Sequence, residues 1–162
     1  MRISVVKGDK TDRVYIMRTD GTEASWSFPS YGPRGMPHDL VHLAIERALG
    51  MSDGIYASVA AGADLARINR AANRAGGTVR ERYAALGGDV EGVMRSEALA
   101  AAPWLDESLT TEALGARVRE LCGDFGVEPP DIDLAKVRDA VRAARAAWSS
   151  VGVGRALEAT WP

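Results

Sequence analysis

Cysteine is almost absent from this chain. The single Cys122 excludes an internal disulfide framework. Histidine is nearly as scarce: there are two in 162 residues, so imidazole chemistry has very few places to be. Lysine is rare beside arginine, 3 against 17. With the abundance of alanine, this reads as the coding bias of a GC-rich bacterial genome, and it weakens any inference of phosphate binding from arginine counts. No apolar run approaches the ~18 residues that a membrane helix needs. The run after Met1 is also far too short for a signal peptide, so the expectation is a cytosolic protein in a reducing compartment. Net charge is −2, which argues against a molecule that binds polyanions with its whole surface. There is no Gly-x-Ser-x-Gly elbow, and the Gly76-Gly77 and Gly87-Gly88 pairs lack the Lys-Ser/Thr ending of a phosphate loop.

What is present suits one globular domain spanning 1–162. Apolar residues make up 46% and charged residues 26% of a chain long enough for a single good core. Arg2–Lys7 is short and rich in β-branched residues, and predicts a first strand. Arg13–Thr19 and Thr22–Phe28 flank Asp20-Gly21, a strong signal for a hairpin with a two-residue type I′ turn. That turn would pair Arg18 with Glu23 and put Tyr15, Met17, Ala24, Trp26 and Phe28 on one face. Helices are expected over about 37–49, 53–74 and from 79, with a break at Gly87-Gly88 and a resumption over 89–101. Two more follow, one after Ser108 or Thr110 and one after Asp131 or Asp133. Val153, Arg155, Leu157, Ala159 and Trp161 alternate with polar residues as in a last strand. The fold class is therefore α+β: a small antiparallel sheet of the N-terminal strand, the hairpin and the C-terminal strand, packed against about five helices.

Potential chemistry concentrates in Pro37-His38-Asp39-Leu40-Val41-His42-Leu43-Ala44-Ile45-Glu46. On a helical wheel His38, His42 and Glu46 fall within 80° of one another, at the edge of the apolar face, at 100° per residue. His-x-x-x-His on a helix presents two imidazoles to one ion, with Glu46 a candidate third ligand one turn on. The run from His38 to His42 resembles the zincin motif His-Glu-x-x-His with aspartate in place of glutamate. The resemblance implies zinc held by His38 and His42, with Asp39 as the catalytic base of a metal-dependent hydrolase. No third histidine exists, so Glu46, Asp53 or Cys122 would complete the site. In the alternative, structural reading, Asp39 caps the helix and bonds His42, His38 packs beside Trp26 or Tyr31, and Glu46 pairs with Arg47, Arg34 or solvent.

Trp26-Ser27-Phe28-Pro29, Tyr31-Gly32, Pro37–His42 and Ala60-Ala61-Gly62 together resemble a family of small bacterial cytosolic proteins without an assigned activity. That resemblance covers about the first seventy residues and implies a small soluble bacterial protein. Arg67, Arg70 and Arg74 share one helix face and offer an anion- or partner-binding stripe; Arg138, Arg142 and Arg145 form a similar one. Without a recognition-helix motif or interleaved aromatics, a solvated face is favoured over nucleic-acid binding. The leading expectation is a non-catalytic interaction or regulatory domain with a protein partner, and the alternative is the zinc hydrolase.

Overall fold

The computed structural model describes residues 1–32, 35–65, 81 and 90–162. Four strands form one antiparallel sheet in the order β3-β2-β1-β4: β1 (Arg2–Val6), β2 (Thr11–Met17), β3 (Glu23–Pro29) and β4 (Ala156–Thr160). Among the described residues there are five helices: α1 (His38–Leu49), α2 (Ile55–Ala60), α3 (Val90–Ala100), α4 (Thr111–Asp124) and α5 (Leu134–Ser150). None is long and apolar enough to cross a membrane. The α+β architecture expected from the sequence is the one observed.

Alternation along the strands gives the sheet one buried face. Ile3, Val5, Val14, Ile16 and Trp26 turn toward the helices, while Arg2, Tyr15, Ser25 and Glu158 line the other side. Strand β1 is central and pairs with β4, the most distant of the four along the described chain. The Met1 ammonium donates to the Trp161 carbonyl at 2.9 Å, and the Trp161 amide donates back to the Met1 carbonyl at 2.8 Å. Buried side chains from Met1 to Trp161 belong to one hydrophobic core.

The hairpin differs from the expectation by one residue. Val14 faces Trp26 and Ile16 faces Ala24, so Tyr15 and Met17 do not share a face with Trp26. A slip of one residue moves every side chain of a strand to the other side of the sheet. The loop holds three residues: Arg18 N–H donates to Thr22 O at 2.9 Å, and Gly21 N–H donates to Arg18 O at 3.1 Å. Type I′ needs positive φ at two residues, but only Gly21 has it here, at 83°. Asp20 keeps a negative φ while its carboxylate accepts from the Thr22 amide and hydroxyl at 2.9 and 2.7 Å. Released from pairing with Glu23, Arg18 reaches across to α2. Its guanidinium donates to the carbonyls of Val59 and Ala63 at 2.6 and 2.9 Å, satisfying the end of that helix.

The helix expected over 53–74 stops at Ala60. The paired bonds Gly62 N to Val59 O and Ala63 N to Ser58 O close it in a Schellman arrangement. Its predicted continuation past 65 and the helix start at 79 lie outside the described residues. Thr110 and Asp133 cap α4 and α5 by accepting from Ala113 N and Lys136 N. The last strand is shorter than its alternation suggested, and Val153 is exposed in the turn before it. In α5, Arg138 and Arg142 are engaged within the chain. Arg138 donates to the carbonyls of Trp104, Asp106 and Leu109, and Arg142 pairs with Glu107 and Asp139.

Replacing Gly21 by alanine should cost about 1–2 kcal/mol of unfolding free energy, the left-handed penalty for an L-residue, measured by urea denaturation. An unchanged midpoint would mean that the loop readily adopts another form.

Candidate metal centre

Pro37 precedes α1 and ends the loop that Trp148 holds by donating its indole N–H to Gly35 O at 2.9 Å. The helix then runs to Gly50 with Leu40, His42, Leu43, Ile45 and Glu46 buried. The two predicted site residues His42 and Glu46 therefore lie within the buried face, not at its edge. The reason is coverage: α1 packs against α2, α3 and α5, so more than one side of it is enclosed.

His38 is half-exposed and His42 is enclosed, with their rings edge to face at a centroid distance of 4.5 Å. A carboxylate from α3 meets both. Glu97 Oε2 lies 3.4 Å from His38 Nε2 and 3.5 Å from His42 Nε2. Donor atoms of His38, His42 and Glu97 all fall within 4.8 Å of one another. His42 Nε2 is buried and has no hydrogen-bond partner among the described residues, since 3.5 Å to Glu97 is too long for a well-formed bond.

Glu46 serves a different end of His42. Its Oε1 accepts from Ile55 N at 2.9 Å and from the Ser96 hydroxyl at 2.5 Å, and its Oε2 accepts from Tyr56 N at 2.9 Å. Ser96 Oγ in turn sits 2.7 Å from His42 Nδ1. Both carboxylate oxygens are thus occupied on the Nδ1 side of the ring, away from the three-donor cluster. Glu46 is not the third member of that cluster, and its partners are Ile55, Tyr56 and Ser96 instead of Arg47; Arg34 lies outside the described residues. Its position relies on Gly54, where an added Cβ would lie 2.4 Å from the Glu46 carboxyl carbon.

The other sequence candidates fall elsewhere. Asp39 does not cap α1; one oxygen accepts from the Trp26 indole N–H at 3.3 Å. Asp53 pairs with Arg95 at 3.1 Å. Cys122 is a buried thiol on α4, pushed up from its ordinary value by burial. Arg67, Arg70 and Arg74 lie outside the described residues.

Electrostatics follow the geometry. Burial alone would raise the Glu97 carboxyl, but the two facing imidazoles hold it far below the usual carboxylate range. His38 is raised by its contact with Glu97, against the opposing effect of burial. Burial raises Asp39 and Glu46, and hydrogen bonds and nearby imidazole partly offset it. Tyr56 is raised well above its ordinary value by burial, and its hydroxyl has no hydrogen-bond partner among the described residues.

The sequence reading missed Glu97, which is 59 residues from His38. Its one local signal was a carboxylate within α3, a helix whose Gly92, Val93, Met94, Ala98, Leu99 and Ala100 are all buried. Comparison of the chain with protein-family models, curated proteins and solved structures gave no match in any of the three.

The raised His38 makes a pH prediction for metal-free protein. A group raised above 6.5 in the folded state stabilises fully below that value and loses its effect as pH climbs through the folded one. In chelator, the stability advantage of the native sequence over His38→Gln should be larger at about pH 5.5 than at about pH 8.5 in urea unfolding. An advantage that grew with pH would contradict the His38–Glu97 pairing.

Proposed function

We propose that this protein is a metal-binding domain that holds one divalent transition-metal ion, zinc being the best match, through His38, His42 and Glu97. The observation that carries the reading is the enclosed Nε2 of His42, which has no hydrogen bond among the described residues and lies 3.5 Å from a carboxylate oxygen that also faces His38. An unsatisfied buried ring nitrogen costs about 1–3 kcal/mol, and a cation between it and the carboxylate would remove that cost. The two separations from Glu97 agree. Donors about 2.1 Å from a tetrahedral ion stand ~3.4 Å apart, against 3.4 and 3.5 Å here, and all three donors fall within 4.8 Å of one another. Two imidazoles and a carboxylate also suit zinc in ligand type and leave a fourth position. His38 is half-exposed, so the cluster reaches solvent on its side.

This reading keeps the metal of the zincin resemblance and exchanges Glu46 for Glu97. It assigns no reaction. A hydrolytic role would need Asp39 as a base at the ion, yet that carboxylate takes the Trp26 indole N–H. Binding in the service of an interaction or regulatory role in the cytosol is the simpler conclusion.

Protein purified without a histidine tag should carry or take up close to one zinc per chain, as measured by elemental analysis and by calorimetric titration. His42→Ala and Glu97→Ala should each abolish uptake, whereas Asp39→Asn should retain it. A native chain that takes up no zinc at micromolar concentration overturns the proposal.

A second prediction concerns the neighbouring carboxylate. Glu46→Ala leaves two amides and one hydroxyl without their acceptor and should cost about 3 kcal/mol or more in chelator. An effect under about 1 kcal/mol would show that water replaces the carboxylate.

A further inference from the structure

His42 has two ring nitrogens, and the bonding around it decides which carries the proton. Three donors point at the two oxygens of Glu46: the amides of Ile55 and Tyr56 and the hydroxyl of Ser96. Those are the surroundings of an ionised carboxylate, which only accepts. Ser96 therefore donates its one proton to Glu46 Oε1 at 2.5 Å. With that proton engaged, Ser96 Oγ meets His42 Nδ1, 2.7 Å away, as an acceptor. The proton of the neutral ring then belongs on Nδ1, and Nε2 bears the lone pair.

We infer that Ser96 and Glu46 are a positioning pair: they fix His42 as its Nδ1–H tautomer and so present Nε2 as a ligand toward Glu97 and His38. The inference rests on the metal reading proposed above and adds to it the groups that orient one ligand. Neither residue touches the ion. A hydroxyl stands here between the histidine and the carboxylate that polarises it, extending by one link the carboxylate–histidine pairing common behind metal ligands. The polarity of the chain originates at α2, whose first amides anchor Glu46, with Gly54 as the residue that lets them approach.

The test uses Ser96→Ala in the full chain. Nitrogen chemical shifts of the His42 ring in metal-free native protein should show the proton on Nδ1. In Ser96→Ala the Nδ1 acceptor is gone, and the population should move toward Nε2–H, which can donate to Glu97. Competition titration with a chromophoric chelator should then show zinc bound about 10–100-fold more weakly than by the native chain. Leu121→Ala in α4, which contributes nothing to the cluster, supplies a destabilised control that should bind zinc as the native chain does. A native ring protonated on Nε2 overturns the inference. So does a Ser96→Ala affinity within twofold of native. If the native chain takes up no zinc, the functional reading falls and the orienting role falls with it. Zinc uptake that is unaffected in Ser96→Ala removes only the positioning pair.

Discussion

The fold around the site depends on one enclosed carboxylate. Glu46 is fully buried, and an ionised group there would carry a desolvation penalty of several kcal/mol if left alone. It is not alone: α2 supplies two amides, α3 supplies the Ser96 hydroxyl, and His42 lies within 3.9 Å on the same helix. Three helices are thereby held in register by a single side chain. Apolar packing tolerates small shifts among them, whereas a buried charge whose partners come from separate elements does not. This is why α1 and α3 meet with Glu97 opposite both imidazoles.

The sheet contributes through two polar links from its hairpin. Arg18 at the end of β2 finishes α2, and Trp26 in β3 holds Asp39 at the start of α1. Both groups lie on the side of the hairpin that the three-residue loop turns toward the helices. The register of a surface turn therefore bears on the position of the histidines. Lys7, buried with its ammonium 5.0 Å from the Trp148 ring centre and bonded to the Trp148 carbonyl, ties β1 to α5 in the same manner.

Much of this architecture was legible in the sequence. Alternation and turn residues located the four strands, and capping chemistry narrowed the starts of α4 and α5 to Ser108 or Thr110 and to Asp131 or Asp133, of which Thr110 and Asp133 are the caps. The hairpin register was not legible, because Asp-Gly fits both a two-residue and a three-residue loop. What decides between them is the Asp20 carboxylate on Thr22, together with the burial of Val14 and Ile16. At the site, the two histidines stood out by spacing alone. Glu97 did not, since tertiary packing brings it to them and no local pattern records that. Glu46 was noticed for its charge and placed on the wrong side of His42, because a helical wheel shows which face a residue shares but not what covers that face.

The pairing of β1 with β4 has a consequence for biosynthesis. Ile3 and Val5 leave the ribosome well before the strand that completes their side of the sheet; Met1 and Trp161 stand 160 positions apart. Until then the nascent chain holds an apolar strand with one raw edge, the kind of surface that chaperones engage and that drives aggregation when they fail. Contacts so distant along the chain also slow the search for the native topology. Completion of this sheet thus waits on β4.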